Sequence, residues 1–175
     1  HMRIFLVGFM GCGKTTLGDE LASIMGLEFI DMDLYIEERY KMSVVSFFDI
    51  FGEDKFREIE HNTLLEILSK KTDSLISLGG GTPCFYNNMD IIINSGLSVY
   101  IKLTVDELYK RLYKTKKRRP LLINKNSEEL RRYIEEVLNK RESIYMKSHI
   151  IVDGYKLKAK DLYNIIINYE AQKKE

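Results

Sequence analysis

Gly8-Phe9-Met10-Gly11-Cys12-Gly13-Lys14-Thr15 satisfies the pattern G-x-x-x-x-G-K-[ST] in full. Immediately before it, Ile4 to Val7 is a short unbroken apolar run, as expected of a strand buried in a parallel sheet. Immediately after it, a helical pattern from Lys14 to about Met25 puts Leu17, Leu21 and Ala22 on one face, with Gly26 as its stop. Glycines in such a strand-to-helix turn let successive backbone N–H groups converge on one anion, and the helix N-terminus adds a favourable dipole. Lys14 supplies a positive charge for β- and γ-phosphates, and the Thr15 hydroxyl can hold Mg²⁺. An ordinary glycine-rich turn would explain neither the complete pattern nor its context. The stretch therefore predicts a nucleoside triphosphate site lined by Gly11, Cys12, Gly13, Lys14, Thr15 and Thr16. Cys12 is expected to contribute backbone only, with a thiol open to oxidation. Guanine specificity usually comes with N-K-x-D. The nearest string, Asn124-Lys125-Asn126-Ser127, lacks the aspartate, so ATP is the expected nucleotide.

Working outward, four more short strands are expected, at Glu28–Asp31, Ser74–Leu78, Ser98–Leu103 and Ile150–Val152. Between them lie a helix-rich insert from about Leu34 to Lys71 and helices at about Asn87–Asn94, from Val105 with Thr104 as cap, from Ser127 as cap to about Met146, and at about Lys160–Ala171. Strands alternating with helices predict a three-layer αβα fold with a five-stranded parallel sheet, in one domain over 1–175.

With 175 residues, 45% hydrophobic and 30% charged, the chain has the composition of a soluble globular domain. A net charge of +1 gives no bulk attraction to nucleic acid or to an anionic membrane. No apolar run approaches the ~20 residues that span a bilayer. His1-Met2 is expected to be an expression-tag scar, no signal peptide is expected, and the expected compartment is the cytoplasm. Cys12 and Cys84 form no C-x-x-C pair, which argues against metal ligation.

Asp31 and Asp33 close the second strand. Alternate residues of an extended chain point the same way, so both carboxylates are expected at the sheet's C-terminal end, where ligands bind in open α/β sheets. One can hold Mg²⁺ and the other can accept a proton from a substrate hydroxyl. The competing possibility is that Asp33 is merely the cap of the next helix.

At this point the residues resemble a known family, the shikimate kinases. The phosphate loop is similar to that family's opening motif. Asp31-Met32-Asp33 matches its D-x-D, Phe56-Arg57-Glu58-Ile59-Glu60 its F-R-x-x-E, and Leu78-Gly79-Gly80-Gly81 its triple glycine. Arg119-Pro120-Leu121-Leu122 matches its lid motif, and Arg141 with Tyr145 its late arginine block. The blocks fall in family order and span most of the chain. The resemblance implies phosphorylation of the shikimate 3-hydroxyl by ATP with Mg²⁺, a helical substrate-binding region over about 33–71 and a mobile lid over about 112–126. It implies that Asp33 binds the hydroxyl and acts as base, that Arg57 and Arg141 grip the carboxylate, and that Gly79, Gly80 and Gly81 approach the substrate. Arg119 would touch the transferring phosphate, Asp31 and Thr15 would support the metal, and Arg111 is the nearest candidate beside the adenine. A monomer without nucleic-acid or membrane partners is expected.

The residues alone leave three alternatives. Arg57 and Glu60, three apart on a helix, form at least a salt bridge, which at a surface is worth ~0–1 kcal/mol. The acceptor class extends to gluconate or a nucleoside monophosphate. A nucleotide-binding module without catalysis is the non-enzymatic reading, against which the set Lys14, Thr15, Asp31, Asp33 and Arg119 argues. Thr82-Pro83-Cys84-Phe85-Tyr86 departs from the commoner apolar form after the glycines and is expected to change no chemistry. Val152 to Leu157 lacks the arginine and proline that the resemblance implies beside adenine, and Tyr155 or Lys156 is the expected substitute.

Overall fold

The computed structural model describes residues 1–115, 122 and 124–175. Strand β1 (Arg3–Val7) is the centre of the sheet. β3 (Ser74–Ser77) and β4 (Leu97–Lys102) pair with its two sides. β2 (Glu28–Asp31) and β5 (Ile150–Asp153) form the edges, giving the parallel order β2-β3-β1-β4-β5. The chain changes direction across β1, so the turn leaving β1 opens at the switch point of the sheet.

The pleat of β1 sorts the two helical layers. Ile4 and Leu6 enter a core with Leu17 and Leu21 of α1 (Lys14–Met25), Leu108 and Leu112 of α6 (Val105–Thr115), Leu130 and Ile134 of α7 (Ser127–Tyr145), and Leu162 and Ile166 of α8 (Ala159–Lys173). Phe5 and Val7 enter the opposite core with Leu64 and Ile67 of α4 (Glu53–Ser69) and Met89 and Ile92 of α5 (Asn88–Ser95). The helical insert carries its own small core, where Ile36 of α2 (Met32–Tyr40) and Phe47 of α3 (Val44–Phe51) pack with Phe56. This third core fixes the insert beside the sheet's C-terminal edge.

The expected elements are all found, with local differences. Thr104 caps α6 as expected, since its hydroxyl accepts the Glu107 N–H at 3.1 Å while its own N–H donates to Glu107 at 3.0 Å. The cap of α7 is Asn126, not Ser127: the extended backbone of Asn126 lets its side chain accept the Glu129 N–H at 2.8 Å, and Ser127 is already helical. The insert is broken twice, at Lys41 (φ 56°) and at Gly52 (φ 84°). A 3-10 turn at Thr82–Cys84, too short to leave a periodic pattern, follows the glycines.

Candidate active site

The phosphate loop is shaped by Gly11 (φ 79°) and Gly13 (φ 98°), conformations that cost an L side chain energy. The Cys12 N–H donates to the Phe9 carbonyl at 3.2 Å and closes the turn. The Lys14 ammonium curls back onto the Gly8 and Phe9 carbonyls, at 2.6 and 3.0 Å. These are neutral acceptors that an incoming phosphate can replace. Cys12 is only 1% exposed and packs under Gly8, so the expected oxidation sensitivity of its thiol is corrected by burial.

Gly11, Gly13, Lys14, Thr15 and Thr16 line a cavity of about 720 Å³ together with Asp31, Asp33 and Arg111. The Thr15 hydroxyl donates to Asp31 Oδ2 at 3.0 Å, while Asp31 Oδ1 accepts the Leu34 N–H at 3.2 Å. Asp31, not Asp33, is therefore the cap of α2. Strand alternation is also not what aligns the two carboxylates: β2 ends at Asp31, and Asp33 already lies in the first helical turn. The helix start brings Asp33 back to the cavity that Asp31 faces. Thr15 and Asp31 present hard oxygen donors beside the phosphate loop, which fits Mg²⁺ held by one or two protein groups with the remainder from phosphate and water. Among the described residues no cluster of three or more His, Cys, Asp or Glu could form an all-protein metal cage.

A second cavity, about 940 Å³, adjoins the first and shares Met10, Asp33, Glu37, Gly79 and Gly80 with it. Its far wall carries Arg57 on α4 and Arg141 on α7. Asp33 thus stands at the junction, with phosphate-binding groups on one side and two guanidinium groups on the other. Desolvation in the cleft, with Glu60 and Asp31 nearby, pushes the Asp33 carboxyl up to about 6, against a smaller lowering by Lys14.

Arg57 and Glu60 are not a surface pair. Their side chains are 10% and 1% exposed, and Arg57 Nη1 donates to Glu60 Oε1 at 3.0 Å. Glu60 Oε2 accepts the Thr82 hydroxyl at 2.7 Å, which ties α4 to the turn after the glycines. The triple glycine has no left-handed residue; its need is room. A Cβ on Gly79 would lie 2.9 Å from Asp33 Oδ1, on Gly80 3.2 Å from Arg141 Nη1, and on Gly81 2.5 Å from Arg57 Nη1. The nearest side chain differs at each glycine, and Gly79 also clears Thr82 (3.0 Å) and Glu60 (3.1 Å).

Arg141 reaches the cavity one turn before the end of α7, with its guanidinium 5.9 Å from the Phe9 ring centroid. The fully buried Tyr145 donates its hydroxyl to the Gly80 carbonyl and so holds that peptide. Glu142 accepts the Tyr100 hydroxyl and pairs with Lys102 at 3.1 Å, anchoring the same helix to β4. Tyr145 belongs to a sequence motif, but its burial and bond to Gly80 depend on tertiary packing. Lys140 also lines the second cavity, and its placement follows the helical spacing from Tyr133 and Val137.

Other expected residues are placed less centrally. Arg111 Nη1 lies 3.5 Å from the Gly11 carbonyl, against the phosphate loop. Tyr155 and Lys156 line neither cavity. His61 bonds Asn88 at 2.6 Å and stacks on Tyr86, a structural role. Arg119 lies outside the described residues, as do the other residues of 116–121 and residue 123 of the expected lid; of that segment, α6 ends at Thr115 and Leu122 is buried against the second cavity.

A phosphate loop sharing a carboxylate with an adjoining pocket lined by two arginines defines a P-loop phosphotransferase for a small molecule. Residues 10–170 match the family model for shikimate kinase. A shikimate kinase of Parabacteroides distasonis is 51% identical over 155 residues, covering 89% of this chain and 89% of its own. The structure of shikimate kinase from Bacteroides thetaiotaomicron superimposes with a TM-score of 0.90 at 38% identity, covering 94% of this chain and 98% of that one. Shikimate kinase from Acinetobacter baumannii, solved in complex with shikimate, gives 0.87 at 31% identity over 99% of this chain and 94% of that one. The chain belongs to the shikimate kinase family.

Proposed function

We propose that this chain transfers the γ-phosphoryl group of ATP to the 3-hydroxyl of shikimate, giving shikimate 3-phosphate and ADP on the route to chorismate. The observation that carries this reading is the position of Asp33 between the phosphate cavity and the pocket bearing Arg57 and Arg141. The two guanidinium groups take the acceptor's carboxylate, a planar anion that matches their forked donors. Held there, the acceptor presents its hydroxyl to Asp33, which accepts the proton as the oxygen's electron pair attacks the γ-phosphorus. The bond to the bridging oxygen breaks and ADP carries that electron pair away. The site contributes alignment of the two reactants and stabilisation of the phosphoryl charge. Lys14 leaves its loop carbonyls for the phosphate oxygens, and Arg119 is assigned to the same charge on the basis of the resemblance.

Thr15 and Asp31 are the residues that would hold Mg²⁺, which when bound neutralises phosphate charge. Arg111 is assigned to the nucleotide from its place on the phosphate loop. Gly79 to Gly81 are assigned to the acceptor, with the Gly80 peptide held by Tyr145. The working unit is taken to be one chain in the cytoplasm, acting on small molecules without nucleic-acid or membrane partners; among the described residues no helix is long and apolar enough to cross a membrane. The residues at 33–71 form the acceptor-binding part of the single domain, and 112–126 the lid.

The test is a coupled ADP-release assay with Mg²⁺ and ATP across shikimate, gluconate and nucleoside monophosphates. Shikimate is expected to give by far the highest turnover. Shikimate turnover no faster than hydrolysis of ATP by water overturns the proposal.

A further inference from the structure

The stretch Thr82-Pro83-Cys84-Phe85-Tyr86 departs from the commoner form after the triple glycine, and no chemistry was expected of it. In the fold it is fixed from both ends. The Thr82 hydroxyl donates to Glu60 at 2.7 Å, and the Thr82 carbonyl accepts Asn88 Nδ2 at 2.9 Å. The Cys84 N–H donates to the Gly81 carbonyl at 3.0 Å, and the Asn88 N–H donates to the Phe85 carbonyl at 3.2 Å. Phe85 leaves this turn in an extended conformation and lines the acceptor pocket.

Its ring centroid lies 4.2 Å from Arg57 Cζ, well inside the 5.4 and 5.5 Å of Phe56 and Phe48. The contact is the nearest of three aromatic contacts to one guanidinium. That guanidinium is only partly committed at its edges: Nη1 is bonded to Glu60, Nη2 meets Glu53 loosely at 3.5 Å, and Nε is buried with no hydrogen-bond partner. The unpartnered Nε–H, together with Nη2 once it leaves its loose Glu53 contact, forms the side-on fork that fits a carboxylate. A ring on the guanidinium face attracts the cation without consuming any in-plane N–H. Glu60 then fixes one corner of the group, and the ring fixes its plane.

We propose that Phe85 is a positioning residue for acceptor binding: by packing on Arg57 it holds the guanidinium in the orientation in which its Nε/Nη2 edge, exchanging the loose Glu53 contact, grips the acceptor's carboxylate. This rests on the assignment of Arg57 to that carboxylate. The departure at 82–86 is then part of the acid-recognition site.

Steady-state kinetics on the full chain, varying shikimate at saturating Mg²⁺ and ATP, test it with Phe85→Leu, Phe85→Tyr, Arg57→Ala and the Phe85→Leu/Arg57→Ala double variant. Phe85→Leu is expected to raise the KM for shikimate about three- to tenfold. Phe85→Tyr keeps the stack and the KM, and the KM for ATP stays within about twofold in both. In the Arg57→Ala background the Phe85→Leu penalty is expected to vanish, because no guanidinium remains to orient. A penalty of equal size in both backgrounds overturns the proposal, since the ring would then touch the acceptor itself. So does a Phe85→Tyr enzyme no better than Phe85→Leu when the two melt at the same temperature. An Arg57→Ala enzyme with unchanged KM for shikimate overturns the assignment of Arg57, and the proposal with it.

Discussion

Arg57 Nη1 donates to Glu60 Oε1 at 3.0 Å, and Glu60 is 1% exposed. A buried charge left without its counter-charge is costly, by about 3–5 kcal/mol, far more than the loss of a surface pair. Glu60→Ala strips both Arg57 and the Thr82 hydroxyl of an acceptor. It is expected to lower stability by about 3 kcal/mol in urea unfolding, with the KM for shikimate raised as Arg57 loses its anchor. A loss below about 1 kcal/mol would return the pair to surface status.

The glycines at 79 and 81 separate the two halves of the site. Gly81 is in the right-handed helical region (φ −92°), which alanine adopts freely, so only the space it clears is at stake. Gly81→Ala pushes on Arg57 and is expected to raise the KM for shikimate at least about tenfold, while the KM for ATP holds. Gly79→Ala presses on Asp33, Thr82 and Glu60 together and is expected to reduce kcat as well as raise the KM for shikimate. An unchanged kcat in Gly79→Ala would contradict the contact of Gly79 with Asp33.

Asp33 links activity to pH. Its carboxyl is pushed from the usual 3.8 to about 6, chiefly by desolvation, so the folded chain holds that proton more tightly than the unfolded chain does. As the proposed base it must be ionised, so kcat/KM is expected to fall as pH drops through the titration of Asp33, and carboxyl NMR of the free chain is expected to place that midpoint at about 6. The sign for stability is opposite to that of a paired carboxylate: ionised Asp33 costs stability, increasingly as pH rises from 3.8 to about 6 and constantly above. Asp33→Asn is therefore expected to melt higher than the parent above pH 6, with the gap closing below about pH 4, while turnover falls about 10²–10⁴-fold. Full kcat in that variant would remove Asp33 as the base.

Tyr145 holds the Gly80 carbonyl from a position with no exposure to solvent. Tyr145→Phe keeps the ring in place and deletes one donor to a buried acceptor. The expected cost is about 1 kcal/mol in stability and a few-fold rise in the KM for shikimate, measured by thermal melting and steady-state kinetics. A KM unchanged alongside a lowered melting point would confine Tyr145 to stability.

The phosphate loop was readable because its chemistry is local: eight consecutive residues contain both the anion cradle and the lysine. Strand β1 was readable for a similar reason, since Ile4 to Val7 is buried on both faces and forms an unbroken apolar run, whereas the edge strands β2 and β5 are only partly buried. The aspartates were readable as a pair but not as a geometry. Strand alternation predicted their common direction, whereas the cap at Asp31 and the first turn of α2 produce it.

Sequence alone determined the nucleotide site, the parallel αβα architecture and, through motifs in a known order, the acceptor family, because each depends on residues close together in the chain or on periodic burial. Tertiary structure alone decided that Arg57 and Glu60 are buried, that the three glycines make room for Asp33, Arg141 and Arg57, and that Tyr145 and Phe85 reach the site. Those facts depend on how α4, α7 and the turn after β3 pack at one edge of the sheet. Spacing along a chain says which residues share a helix face; which segment that face meets is settled only when distant elements are packed together.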